Sequence, residues 1–337
     1  MGILFLGDLF YGYDDIKKDI FDIAEYIKKN NYSVVLNLEG PITDVSNTKI
    51  RKRGEHLCQS KDIGEVLKLL NVKGVVLSNN HMFDYLERGV EDTLEVLEKY
   101  NIPYTGLINS KRDYPKSILI QDSNEQYEIF AATDPYEESI CRTDKMGCCL
   151  IKDLMNDDLF LANKTKKIAY LHTGFEYNTL PTKRTINECR RLIDKGFESV
   201  VCSHPHIVQP YEIYNGKYIF YSIGNFYFSS FKKEFHDKQI KYKPEHFCDL
   251  GYGVIFEEDA VRIIGIDYNS GNEFPKILED YDAEKLDLKN HFTYKKAYYK
   301  NRNNHNFFLT GNTILDAAKM FVLNMLYKIY RKVKHLE

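Results

Sequence analysis

Apolar runs of strand length alternate with segments of helical period along most of this chain, and several of those runs end in side chains able to bind a metal or move a proton. The first run, "ILFL" at 3–6, leads into Gly7-Asp8, and the segment after it, "DDIKKDIFDIAEYIKKN", repeats Ile16, Ile20, Ile23, Ala24 and Ile27 at helical spacing. This alternation predicts an α/β chain. "SVVLNL" (33–38) and "GVVLS" (74–78) read as further strands, with helices around 61–70 and 86–100. Strands are also expected at 117–121, 127–132, 167–172, 198–202 and 217–223, and a helix at about 182–195 that stops at Gly196. From 252, "YGVIFEEDAVRIIGIDY" reads as a hairpin turning at "EED".

A chain of 337 residues is long for one domain and short for three, which predicts one catalytic-sized core at 1–266 and an extension at 267–337. The 46 basic and 49 acidic side chains nearly cancel, so the overall field gives no reason to expect nucleic acid as a partner. Seven cysteines without a C-x-x-C pair point to reduced thiols and a cytoplasmic protein. The opening "MGILFLGDLF" is broken by Asp8 and lacks a basic lead, so it reads as a strand and not as an export signal. No run of eighteen apolar residues suggests a membrane span. Residues 267–311 carry no sustained period and read as irregular. Beyond them, Ile314, Leu315, Ala318, Phe321, Val322, Met325, Leu326, Ile329 and Val333 share one helical face, with Lys319, Lys328, Arg331, Lys332 and Lys334 largely elsewhere. Such a basic amphipathic helix suits packing on the domain, a protein contact, or the inner face of an anionic membrane.

The residues just after the strands carry the chemistry. Asp8 comes after the first, Asn37 and Glu39 after the second, and Asn79-Asn80-His81 after the third; later come His172 and Glu176 in "HTGFE", then His204 and His206 in "SHPH". In open α/β sheets, ligands bind at the carboxyl ends of strands, so these scattered residues are expected at one edge. Carboxylate, amide oxygen and imidazole together form a mixed donor set suited to Mn, Fe or Zn.

The series "GD", "NLEGPIT", "SNNHMFDY", "LHTGFEY" and "SHPHIVQPYEIYNGKYIFYSIGNF" resembles the motif order of the CapA-type capsule and poly-γ-glutamate biosynthesis proteins, a branch of the calcineurin-like metallophosphoesterases. The resemblance covers roughly residues 1–265 and implies a two-sheet sandwich flanked by helices (αββα) with a divalent metal centre, most simply of two ions. It implies Glu39 as the bridging carboxylate, Asp8 and His206 on one metal, and Asn80, His172 and His204 on the other. Where the wider superfamily has Asp-x-His on the first strand, the third position here is Phe10, which removes a ligand from the first metal. His81 would handle the leaving-group proton with Asp84 orienting it, and Asn37, Asn79, Glu176 and Asn225 would support the ligands.

The basic stretch "TKIRKR", with Lys49, Arg51, Lys52 and Arg53, is expected to bind the substrate anion, and "FKKEFHDKQIKYKPEHF" (231–247) to act as a lid whose His236 and His246 are not ligands. The resulting expectation is a metal-dependent phosphohydrolase, acting on a phosphomonoester or phosphodiester in capsule or surface-polymer synthesis. Its partner would be an anionic phosphorylated substrate or polymer. The alternative is a non-catalytic protein of a capsule biosynthesis complex that binds the polymer in the same pocket.

Overall fold

Nine consecutive buried residues form the first strand, β1 (Gly2–Phe10). A strand covered on both faces needs no apolar/polar alternation, which is why its sequence reads as a nearly continuous apolar run. The computed structural model describes residues 2–12, 20–44, 46–52, 54–109, 115–122, 125–135, 146–156, 165–229, 231–235, 238–242, 250–257, 260–267 and 276–279. Outside the described residues lie Arg53, His236, His246, two residues of the "EED" turn and the C-terminal amphipathic segment.

After β1 come α1 (Phe21–Asn30), β2 (Tyr32–Leu38), α2 (Ile63–Leu69), β3 (Val72–Val76) and α3 (Leu86–Lys99). The middle of the chain holds β4 (Tyr104–Thr105), β5 (Leu107–Ile108), β6 (Ile118–Asp122), β7 (Glu125–Thr133), β8 (Gly147–Cys148) and a 3-10 turn at Ile151–Met155. Next are β9 (Lys166–His172), α4 (Lys183–Lys195), β10 (Ser199–Ser203), β11 (Val208–Tyr214), β12 (Lys217–Ile223) and β13 (Asn225–Phe228). The described chain ends with β14 (Phe231–Phe235), β15 (Lys238–Tyr242), β16 (Leu250–Glu257), β17 (Ala260–Asp267) and β18 (Lys276–Leu278). The segment expected as a lid contains the two-stranded antiparallel pair β14–β15. The segment expected to be irregular from 267 contributes β18, which pairs with β17 and extends the first sheet.

Two sheets carry the fold, one of eight strands ordered β18-β17-β16-β1-β2-β3-β4 with β13 also on β1, and one of six ordered β11-β12-β10-β9-β7-β6. Three apolar layers result from the direction in which each strand residue points. Ile3, Phe5, Val35 and Val254 of the first sheet meet Ile129, Ile168, Tyr170 and Phe220 of the second between the sheets. Leu4, Leu6, Val34 and Leu36 face the other way, onto Ile23 and Ile27 of α1, Val66 of α2 and Val90 of α3. Ala169, Leu171 and Val200 face outward from the second sheet onto Cys189, Leu192 and Ile193 of α4. This is the αββα sandwich; each large side chain so buried contributes about 1.5–3 kcal/mol. Tyr170 adds a polar tie across the middle layer, its hydroxyl donating to Leu6 O at 2.9 Å.

Helix α4 shows how local sequence sets a boundary. Thr182 Oγ1 accepts from Thr185 N at 3.0 Å, satisfying one orphan donor of the first turn, and Gly196, at φ 120°, ends the helix where a side chain would be strained.

Candidate metal centre

β1, β2 and β3 run parallel, as do β9 and β10, so their carboxyl ends converge at one end of the sandwich. β1 is brought close to the second sheet's turn by a glycine contact. A Cβ on Gly7 would lie 1.9 Å from Gly224 O, so neither sheet could close there with a larger residue. Asp8 N donates to Gly224 O at 3.3 Å, and Asp8 stands in register with Asn225 of β13.

Asp8, Glu39, Asn80, His172, His204 and His206 are all buried. They form two groups. In one, Asn80 Oδ1 lies 2.9 Å from His172 Nε2, and His204 Nδ1 lies 3.1 Å from the same nitrogen. In the other, ligand atoms of Asp8, Glu39 and His206 lie within 4.8 Å of one another. His204 and His206 sit at φ 103° and 61°, backbone that non-glycine residues rarely adopt, and this tight turn points both rings inward.

Asparagines align the donors. Asn37 Nδ2 donates to Asp8 Oδ1 at 2.7 Å and lies 3.2 Å from His172 Nδ1. Asn79 Nδ2 donates to Asn37 Oδ1 at 3.1 Å and to Leu38 O at 2.9 Å, while its Oδ1 accepts from Gly40 N and His81 N. Asn225 Oδ1 lies 2.9 Å from His206 Nδ1. Glu176, expected to support the ligands, is exposed and reaches the site only through its charge.

Electrostatics favour a cation. Both carboxylate oxygens of Glu39 are buried without a hydrogen-bond partner. Burial pushes its carboxyl well above the usual range, with the Asp8 charge adding to the effect. A buried unpaired carboxylate costs several kcal/mol unless a positive charge or donors offset it. Burial likewise holds the His172 imidazole well below its usual range, keeping the ring neutral as a ligand must be. Oxygen and imidazole donors gathered with an orphaned carboxylate fit divalent ions: Asp8 and His206 share a cluster with Glu39, and Asp8 also reaches the other set, its Oδ1 3.7 Å from His172 Nδ1 and its Oδ2 accepting from His204 N at 3.1 Å.

At the edge of this cluster His81 Nε2 stands 4.0 Å from Glu39 Oε1, while its Nδ1 lies 2.7 Å from Asp84 Oδ2. Burial lowers the His81 pKa and Asp84 pushes it back. Burial would raise the Asp84 carboxyl, but His81 and Lys52 outweigh it and hold it below the usual range.

The basic stretch divides. Lys49 and Arg51 are exposed, with Lys49 Nζ 5.5 Å from the Tyr85 ring centroid. Lys52 turns inward onto Asp84, its side chain 4% exposed. Phe10 is buried against Phe228, ring centroids 5.1 Å apart, and Phe228 meets His206 edge-on at 5.0 Å.

Two contributors carry no motif signal. Gln59 Nε2 donates to Leu9 O and Glu39 O, and its Oε1 accepts from Tyr11 N, stapling the ends of β1 and β2. Ser203 Oγ lies 3.3 Å from His172 Nδ1, at a position predictable only once β10 is known to lie beside β9.

Residues 3–230, which include every residue of this cluster, match the family model of the bacterial capsule synthesis protein PGA_cap. The chain belongs to that family. The chain is 32% identical over 217 residues to the PGA biosynthesis protein CapA of Bacillus subtilis (strain 168), across 62% of this chain and 56% of that protein. It is 28% identical over 232 residues to the capsule biosynthesis protein CapA of Bacillus anthracis, across 65% and 54%. This PGA_cap chain therefore spans about half the length of those relatives. Among solved structures it is similar to the Thermus thermophilus sulfate thiohydrolase SoxB, with a TM-score of 0.47 and 12% identity over 86% of this chain and 46% of that one. It is also similar to a hypothetical protein from Thermus thermophilus, with a TM-score of 0.46 and 14% identity over 83% and 99%. Among the described residues, no helix is long and apolar enough to cross a membrane.

Proposed function

We propose that this chain is a metal-dependent phosphoric ester hydrolase serving capsule or surface-polymer synthesis, with an anionic phosphorylated intermediate or polymer as substrate. The observation that carries the reading is Glu39, a buried carboxylate with no hydrogen-bond partner, whose Oε1 stands 3.9 Å from His206 Nε2 and 4.0 Å from His81 Nε2. Membership of the PGA_cap family supports the link to capsule synthesis.

Bound divalent ions would clamp a phosphoryl group and make hydroxide available near neutral pH. The chain's own residues do the rest. Asn37, Asn79 and Asn225 hold the donors in fixed directions, so little reorganisation is needed when an anion enters. His81 keeps one ring nitrogen on Asp84 and offers Nε2 to the reacting centre, where it takes the proton given up by the attacking water and passes it to the leaving oxygen. Lys49 and Arg51 supply exposed positive charge nearby for an anionic chain.

Full-length protein loaded in turn with Mn, Fe or Zn and given chromogenic phosphomonoesters and phosphodiesters tests this. Turnover should require metal, vanish in Glu39→Gln and fall about 10²–10⁴-fold in His81→Gln. Absence of turnover under every loading would sink the hydrolase reading. One observation favours a second reading, a polymer-binding protein without turnover: buried apolar Phe10 leaves the Asp8–His206 side with three protein donors, counting Glu39. Metal-dependent binding of an anionic polymer without hydrolysis would support it.

A further inference from the structure

Lys52 lies in a stretch whose composition suggests a solvated, substrate-facing loop, yet its ammonium is buried against Asp84 Oδ1 and stands 3.0 Å from His81 Nδ1. Asp84 is fully buried, and its other oxygen, Oδ2, accepts from Leu57 N at 2.7 Å. Backbone joins the same units, since Ile50 N donates to Asp84 O at 2.9 Å. Ile50 and Leu57 are thus fastened to Asp84 by their main-chain N–H groups, and Lys52 by its ammonium.

His81 Nδ1 faces a carboxylate oxygen at 2.7 Å and an ammonium nitrogen at 3.0 Å, and one contact dictates where the ring proton sits. A bare Nδ1 would oppose two acceptors at the shorter distance. A proton on Nδ1 turns that contact into a charge-assisted hydrogen bond and leaves the Lys52 protons for Asp84 Oδ1. Asp84 Oδ2 then has the ring and Leu57 N as donors, and Oδ1 has the Lys52 ion pair. Without Lys52, Oδ1 would be a buried carboxylate oxygen with nothing to hold it, and the carboxylate torsion, broad by nature, would be set by the ring and Leu57 N alone.

We propose that Lys52 is a positioning residue: by holding Asp84 it keeps the His81 proton on Nδ1 and presents Nε2 bare to the Glu39 side of the cluster. This deepens the hydrolase reading and rests on it for its catalytic meaning. The ring proton itself can be observed without turnover.

The test is long-range proton–nitrogen correlation of the histidine rings in nitrogen-15-labelled, full-length, metal-free protein at about pH 8, above the ordinary imidazole pKa of roughly 6.5. His81 is assigned by its loss in His81→Gln. Wild type should show a protonated Nδ1 and a bare Nε2. Lys52→Met should shift His81 to mixed tautomers, and Lys52→Arg should restore the wild-type pattern. In the manganese-loaded enzyme, Lys52→Met should lower kcat on bis(p-nitrophenyl) phosphate about 10- to 100-fold at unchanged KM. A change in KM alone would make Lys52 a substrate anchor and overturn the proposal. So would a bare Nδ1 in wild type, or a wild-type tautomer in folded Lys52→Met. If Lys52→Met fails to fold, Lys52→Gln takes its place, and a wild-type tautomer in folded Lys52→Gln overturns the proposal. If wild type turns over nothing, the hydrolase reading fails while the tautomer result stands separately.

Discussion

The two donor groups of the cluster differ in compactness. Asn80, His172 and His204 converge on His172 Nε2 at 2.9 and 3.1 Å, whereas the ligand atoms of Asp8, Glu39 and His206 spread within 4.8 Å beside the apolar pair Phe10–Phe228. A preorganised set loses little on ligation, and a looser set with an apolar neighbour has fewer atoms to offer. A carboxylate shared between such unequal halves would bind ions in two classes of affinity.

Glu39→Gln should break the comparison outright, lowering affinity for Mn by about 100-fold or more on both sides, as read by titration calorimetry. The same substitution should raise the stability of the metal-free protein by about 1–3 kcal/mol, because it removes a buried carboxylate that has no hydrogen-bond partner. Loss of stability in the metal-free form would show that Glu39 has partners of its own. His172→Ala and His206→Ala should separate the halves: the first removes the tighter ion, and the second leaves it in place while the weaker one is lost, both readable by elemental analysis after dialysis. Equal losses would refute the asymmetry. Phe10→His should sharpen the comparison from the other direction, tightening the weaker ion about 10-fold while the metal-free fold loses a few kcal/mol of packing.

The smallest effect concerns a carboxylate away from the cluster, a reference for Glu39. Burial pushes Glu188 up to about 7, against the pull of Arg184. Its ordinary value is 4.5, so between 4.5 and about 7 the folded chain keeps a proton that the unfolded chain has released. Stability should therefore fall as pH rises through that window, by about 1 kcal/mol once the partial exposure of its side chain is discounted. Denaturant titrations across pH should show this slope in wild type and a flatter one in Glu188→Gln.

Much of this arrangement is legible in sequence because buried parallel strands are written as apolar runs, and the residues just past each run land at the same end of the sandwich. Asp8, Glu39, Asn80, His172, His204 and His206 were findable for that reason. Strand β11 was not, because "VQPYEIY" carries Pro210 and alternates; it lies at the edge of its sheet, paired with β12, where proline is tolerated. The inward turn of Lys52 was equally hidden. A basic cluster reads as solvated until a buried acid such as Asp84 is known to lie within reach, and that is a tertiary fact. Gln59 illustrates the same limit, since nothing local distinguishes a glutamine that staples two strand ends from one in solvent.

The most direct test of the shared, unequal centre is metal stoichiometry of the full-length wild-type protein across a range of free Mn, Fe or Zn, with Glu39→Gln alongside. The account predicts one ion per chain at low free metal, a second at high free metal, and the loss of both in Glu39→Gln. No bound ion at any concentration, or binding that survives Glu39→Gln unchanged, would contradict it.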